Sequence, residues 1–338
     1  MLARGCIVGL GTMGTHHLRV LSGMAEATVV AVVDPAEERR EAVQARHPQI
    51  DVLPSLEKAL ERHELEFVGL AAPVAQLPEL ALQCIAASVP VLIEKPMGPT
   101  EEAAAEVLDA GRAAGVLLSV GYVERYNPAV VALKKLLDEG AIGRVLQFHA
   151  RRLSPAPLRE SMFGVSLDLA THDIDVMRYL AGSEVTRVFA ETAQRRNTRD
   201  EDLLCATLRF HNDATGLLEV NWITPTKVRQ LYVTGENGMF VVDYLQQDLS
   251  FFEHPRLATE WEALEGMRGS GEGDMTRYAL PRREPLAVEW ESFFRAMAGE
   301  DVPLVRGDDG LAAIRIARAI QESGRLHEAI RVSPPADG

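Results

Sequence analysis

Cysteine is scarce in this chain of 338 residues, which has only Cys6, Cys84 and Cys205. The three stand far apart and form no CxxC or Cys/His pattern, which argues against a disulfide framework and a structural zinc site, and no metal is expected. Cys6 and Cys205 fall in apolar, strand-like runs and read as small buried hydrophobes. Positive charge is also short: 35 Lys and Arg face 49 Asp and Glu, for a net charge of −14. That balance speaks against nucleic acid and against an anionic membrane, because both need basic surface. Long apolar runs are missing as well. The longest candidate, Phe67 to Ile93, is broken by Pro73, Pro78, Glu79 and Pro90 and fails as a membrane span. The opening MLARGCIVGL lacks an apolar core followed by a small-residue cleavage site. No secretory leader is therefore expected, and the reading is a cytoplasmic protein.

What is present is hydrophobic material, 47% of residues, enough for cores in two domains of ordinary size. The first third alternates strand-like runs at 4–8, 28–33, 66–71, 90–93 and 116–120 with helical patterns at 13–23, 36–46, 55–62, 75–87 and 100–114. Such alternation is the signature of βα units around a parallel sheet. Helix starts are marked by Pro35 after Asp34, by Ser55, and by Thr100 with Glu101 and Glu102 behind it. Beyond residue 120 the pattern changes. A helix over 128–139 stops at Gly140, strands dominate from Gly143, and a helix over 167–180 is inserted among them. Runs 203–210 and 216–222 alternate with period two about Asn212 and Asp213, which predicts an antiparallel hairpin with one buried face. Further strands are expected at 185–193, 228–235 and 239–243, and helices at 285–298 and 308–323. The stretch 266–274 is too rich in glycine and polar residues to carry a core and reads as mobile.

Gly9-Leu10-Gly11-Thr12-Met13-Gly14 follows the first strand and opens the first helix, and Asp34 closes the second strand. In this context each glycine has its own mechanical reason: Gly9 permits the tight turn, Gly11 the close approach of a pyrophosphate, and Gly14 the packing of helix on strand. The helix start then presents free N–H groups to the anion. Asp34 is placed to accept from the adenosine ribose hydroxyls and to repel a 2′-phosphate, so NAD is expected over NADP. Arg39 and Arg40 are the visible route to an exception. The fold class is therefore α/β: a Rossmann dinucleotide-binding domain over 1–122, then an α+β domain over 123–338 with a largely antiparallel open sheet. The last helices are candidates for packing back on the first domain.

Two further motifs carry chemistry. VLIEKPMG (91–98) ends a strand in Glu94-Lys95-Pro96, and in open parallel sheets ligands lie beyond the carboxyl ends of the strands. In SLDLATHDIDVMRYLAG (166–182), Asp168 and His172 are four apart, one turn on a helix. Oxidising a secondary alcohol needs a base for the hydroxyl proton, which suits His172. Asp168 can orient the imidazole and Lys95 can stabilise a developing alkoxide. The plainer alternative, a helix start capped by Asp168 with His172 merely packed, stays open on spacing alone.

Together, GxGxMG with Asp34, then EKP, then DxxxHDID, resemble the Gfo/Idh/MocA family of sugar and cyclitol oxidoreductases over nearly the whole chain. The resemblance implies a C-terminal substrate domain whose open sheet mediates oligomers, dimer or tetramer, with Lys95, Asp168 and His172 as the catalytic set. Cofactor contacts would come from Gly9, Gly11, Thr12, Met13, Gly14, Asp34, Ala71, Pro73, Gln76, Glu94 and Lys95. This chain departs from the family in having Ala71-Ala72-Pro73 and Gln76 where Thr-Pro with a following His is common. His16 and His17 are read as structural. Segments 121–137, 150–157, 168–185 and 221–238 resemble the UDP-N-acetylglucosamine 3-dehydrogenases, which implies oxidation of the sugar's 3-hydroxyl and a pathway aminotransferase acting on the ketone. A nucleotide diphosphate needs cations, and Arg125, Arg151, Arg152, Arg159, Lys227 and Arg229 lie in or beside these segments. The implied substrate contacts are Lys95, Arg125, Tyr126, Asn127, Arg152, Asp168, His172 and Lys227. Inositol, a free sugar or a UDP-uronic acid stays open as the substrate, as does a non-catalytic NAD-sensing role.

Overall fold

The structure, a computed structural model, describes residues 2–157, 163–196, 199–254 and 273–333. Arg159 and the Gly-rich stretch from Gly266 to Glu272 lie outside the described residues.

By its contacts the chain forms two compact units, 1–123 with Glu284–Arg315, and 124–283 with 316–338. The first unit is therefore discontinuous, and residues 284–315 of the segment assigned from sequence to a second domain count with it. Its sheet has six parallel strands: β1 (Ala3–Val8), β2 (Ala27–Val33), β3 (Asp51–Leu53), β4 (Phe67–Leu70), β5 (Val91–Ile93) and β6 (Leu118–Val120). Their order is β3-β2-β1-β4-β5-β6, so the direction of winding reverses between β1 and β4, where a doubly wound sheet opens its crevice. The intervening helices are α1 (Thr12–Leu21), α2 (Glu37–Gln44), α3 (Leu56–Arg62), α4 (Leu77–Ala86) and α5 (Glu101–Ala114). Ser55 and Thr100 cap α3 and α5 by accepting from the N–H groups of Lys58 and Ala103, as Ser and Thr do when they satisfy the first-turn donors.

The second unit is built on nine strands: β7 (Val145–Leu153), β8 (Val185–Ala193), β9 (Leu203–Phe210), β10 (Thr215–Asn221), β11 (Val228–Gly235), β12 (Gly238–Asp243), β13 (Asp248–Glu253), β14 (Met275–Tyr278) and β15 (Ile330–Arg331). Their order is β14-β13-β12-β11-β7-β10-β9-β8-β15, and every neighbouring pair is antiparallel except β7 with β10. Helices α6 (Pro128–Asp138) and α7 (Thr171–Ala181) belong to this unit. Late in the chain come α8 (Pro285–Met297), in the first unit, and α9 (Gly307–Leu326). The period-two pattern of β9 buries Leu204, Ala206, Leu208 and Phe210. Cys205 falls between them and is exposed, whereas Cys6 and Cys84 are buried. The reading of Cys205 as a buried hydrophobe is thus corrected by its place on the alternate face of the strand.

Candidate active site

The dinucleotide loop is built by exclusion of side chains. Gly9 sits at φ +92°, and a Cβ there would come within 2.5 Å of the Ala71 carbonyl oxygen. At Gly14 a Cβ would lie 1.6 Å from the Gly9 carbonyl oxygen, while at Gly11 nothing stands within 4 Å. Gly9 and Gly14 are required by the chain's own packing, and Gly11 leaves an open cradle in front of the helix. Gly11 is the N-cap of α1 and makes no side-chain cap, so the first-turn N–H groups of Thr12, Met13 and Gly14 have no helical acceptor. A pyrophosphate fits such a start.

Asp34, 2% exposed, stands beside this loop. Its Oδ2 accepts from the Leu10 N–H at 2.8 Å and from Arg39 Nη1 at 3.3 Å, and its Oδ1 accepts from the Ala36 N–H at 2.9 Å. Arg40 donates to the carbonyl oxygens of Asp34 and Pro35. Pro73 and Gln76 are exposed after β4, at the edges of a single 3-10 turn, Val74–Gln76. These residues fit an NAD molecule: open ground at Gly11, unspent donors at the helix start, and a fixed carboxylate for the ribose.

Lys95 follows β5, partly buried, and the Lys95–Pro96 peptide is cis. The Glu94 carboxylate is held on both oxygens: Oε1 lies 2.9 Å from His17 Nε2, and Oε2 accepts from the Lys95 N–H at 3.2 Å. The other His17 nitrogen, Nδ1, accepts from the Trp290 indole N–H at 2.9 Å. His17 is structural as expected, yet it ties the EKP segment to α8. Trp290 is not legible from sequence, because no spacing rule links a position so late in the chain to this loop.

In the second unit a π-helical turn, Ser166–Ala170, feeds directly into α7. Asp168 and His172, both partly buried, lie on either side of that junction. The following acids, Asp173 and Asp175, are buried and take up two of the basic residues singled out as diphosphate ligands. Arg152 donates through Nε and Nη2 to Asp173 at 2.6 and 3.1 Å and through Nη1 to Glu124 at 3.0 Å. Burial works against the Arg152 charge, but Asp173 and Glu124 outweigh it and hold the guanidinium above its ordinary range. Arg125 grips Asp175 with two bonds of 2.6 Å, and its guanidinium lies 4.9 Å from the centre of the Tyr179 ring.

Arg125 and Arg152, expected as diphosphate contacts, are both buried and matched by carboxylates. The Asn127 side chain caps α6 at the Ala129 N–H and donates to the Tyr244 carbonyl. Tyr126 is buried, and Lys227 is exposed. Alternation along β7 puts Arg151 on the opposite face from Arg152, paired with Glu219. Arg229 on β11 registers across from Arg152. Burial, then the Arg152 charge, pull the Arg229 pKa below its ordinary value against Glu124, Asp173 and Asp168. Glu124 and Asp173 also escape a reading from sequence, although the HDID tetrad places acids immediately after His172. Among the described residues no group of His, Cys, Asp and Glu could hold a metal ion, and no helix is long and apolar enough to cross a membrane.

The oxidoreductase family with an NAD-binding Rossmann fold matches residues 3–122, and the GFO/IDH/MocA C-terminal domain matches 130–241. Inositol 2-dehydrogenase 2 of Saccharopolyspora erythraea is 30% identical over 326 residues, covering 94% of this chain and 91% of that protein. Among solved structures, levoglucosan dehydrogenase in complex with NADH superposes with a TM-score of 0.87 at 22% identity, covering 99% of this chain and all of that one. UDP-N-acetylglucosamine 3-dehydrogenase from Acidithiobacillus ferrooxidans gives 0.84 at 22% identity, covering 96% and 98%. At that identity the two structures speak for the fold. The loop, the buried Asp34 and these matches agree: the chain is an NAD-dependent dehydrogenase and belongs to the Gfo/Idh/MocA family.

Proposed function

We propose that this dehydrogenase oxidises a secondary hydroxyl of an uncharged polyol, a cyclitol or a free sugar. The observation that carries the reading is the fate of the basic residues in the second unit. Arg125 and Arg152 are neutralised by buried carboxylates. Arg229 lies among Arg152, Glu124, Asp173 and Asp168, so carboxylates outnumber guanidiniums around it. Such surroundings suit hydroxyl groups, which donate as well as accept, and disfavour a dianionic diphosphate. The relative named inositol 2-dehydrogenase supports the same substrate class.

In this reading His172 takes the hydroxyl proton, Asp168 orients the imidazole and steadies its cation, and Lys95 hydrogen-bonds the oxygen as negative charge develops. NAD, when bound, supplies the acceptor for the hydride. Thr12, Met13 and Gly14 hold its pyrophosphate and Asp34 its ribose.

A second reading is oxidation of the 3-hydroxyl of UDP-N-acetylglucosamine to the 3-keto sugar nucleotide, followed by a partner aminotransferase. Lys227, an exposed cation, favours it. NADH formation with myo-inositol, D-glucose, N-acetylglucosamine and UDP-N-acetylglucosamine, each with a ketone trap, separates the two. Turnover of the neutral polyols is expected; turnover confined to the UDP-sugar would establish the second reading instead. Self-association is part of the proposal, supported by the exposed Phe189, Phe252 and Met275 on β8, β13 and β14. Sedimentation showing only monomer at micromolar concentration would count against it.

A further inference from the structure

Glu94 is an expensive residue for its position. It directly follows β5, whose residues Val91, Leu92 and Ile93 are wholly buried, and it is itself only 8% exposed. A carboxylate there is tolerated only if its oxygens are bonded. Both are, and among the described residues neither bond comes from a Lys or Arg side chain: one partner is His17 Nε2, the other the main-chain N–H of Lys95. The His17 tautomer follows from the third bond. Its Nδ1 accepts from the Trp290 indole N–H, so the ring hydrogen is on Nε2 and is donated to Glu94. The three side chains make a directed chain, Trp290 to His17 to Glu94, ending at the main chain of Lys95.

The surrounding residues are cut to fit it. At Gly121 a Cβ would lie 3.2 Å from the Glu94 carboxyl carbon, and at Gly69 one would lie 3.1 Å from the Trp290 ring. Trp290 is fully buried, edge-on to His17 and in ring contact with Phe67, Phe293 and Phe294. Its N–H therefore has a fixed direction. An apolar side chain at 94 would fill the same space without any of these partners. The polar chain gains something other than packing: it fixes the peptide from which the Lys95 side chain departs.

We propose that Trp290, His17 and Glu94 are positioning residues that act through Lys95, setting where its ammonium group stands. This rests on the role given to Lys95 above. None of the three touches the reacting atoms. Each preserves the placement on which an aligned hydrogen bond to the substrate oxygen depends.

The test is a double-mutant cycle with a substrate-independent companion. Glu94→Ala is expected to lower kcat about 100-fold, and Glu94→Gln, which keeps one acceptor oxygen but turns an NH2 donor toward the second N–H, to recover only part of that loss. Trp290→Phe, which removes only the N–H donor and the outer ring, is expected to cost about tenfold. In a Lys95→Ala background, Glu94→Ala should cost less than about twofold further, because its effect passes through a side chain already gone. Full additivity overturns the proposal. If Lys95→Ala keeps wild-type turnover, or no polyol is oxidised, the catalytic reading itself has failed, and a second measurement then decides. The chain has five lysines, Lys58, Lys95, Lys134, Lys135 and Lys227, so reductive ¹³C-methylation yields few signals. The Lys95 resonance should move in both Glu94→Ala and Trp290→Phe, with melting temperatures recorded alongside. An unmoved resonance overturns the proposal whatever the substrate.

Discussion

Oδ2 of Asp34 accepts a hydrogen bond from the main-chain N–H of Leu10, 24 residues earlier, at 2.8 Å. The carboxylate proposed for the ribose is thereby braced by the loop proposed for the pyrophosphate. Asp34→Ala should lose both functions. We expect kcat/KM for NAD to fall roughly 10- to 100-fold, the range for a bond to a charged group. Arg39, which donates to Asp34, would be released toward a 2′-phosphate, so kcat/KM for NADP should rise. Steady-state kinetics with both cofactors check this, and an unchanged NAD/NADP ratio would refute it.

The glycines of the loop should separate into two kinds. Gly14→Ala would set a Cβ 1.6 Å from the Gly9 carbonyl oxygen, so the loop must deform and both melting temperature and NAD binding should fall. Gly11→Ala meets nothing within 4 Å, so its melting temperature should match wild type while NAD affinity drops. Differential scanning fluorimetry with and without NAD distinguishes the two.

Arg152→Met would strand Asp173 and Glu124. The pair with Asp173 is nearly inaccessible on both sides, 2% and 1%, so solvent screening offers little relief. A loss of about 3 to 5 kcal/mol is expected, as for other buried pairs broken on one side. Urea unfolding measures it; a cost below about 1 kcal/mol would mean the pair behaves as a surface bridge.

Thiol labelling should sort the cysteines. Burial pushes the Cys84 thiol up to about 12 and Cys6 higher still. At about pH 8 neither has appreciable thiolate, the reactive form. Cys205 is exposed, though burial of its flank and the charge of Glu219 also raise it, so it should label slowly and alone. Rapid reaction of two or more thiols in the native protein would contradict this.

The parts legible from sequence are those with a local cause. Gly9, Gly11 and Gly14 stand where the backbone has no room or needs open ground, and the alternation of 203–210 and 216–222 reports a half-buried sheet directly. Helix caps at Ser55 and Thr100 are readable because the cap and the turn it bonds are neighbours in sequence. The three-residue β3, β13 and the edge strands β14 and β15 are not, since short strands carry too little pattern. Arg125 and Arg152 are visible as charges, but their partners are not. A guanidinium reaching for phosphate and one locked to a buried acid look alike until the chain brings Asp175 and Asp173 against them. Cys205 shows the same limit on a smaller scale, because an apolar run does not reveal which face of its strand is covered.

The discontinuity of the first unit bears on how the molecule is made. Trp290, Phe293 and Phe294 fill its core beside Phe67, yet they leave the ribosome after the whole run of strands from β7 to β14 has been synthesised. A nascent chain stopped at residue 123 would hold all six parallel strands and the glycine loop around an unfilled core, with His17 Nδ1 lacking its indole donor. Completion of the nucleotide-binding unit is thus a late event of synthesis, and ribosome-bound chains should gain affinity for NAD only once α8 has emerged from the exit tunnel.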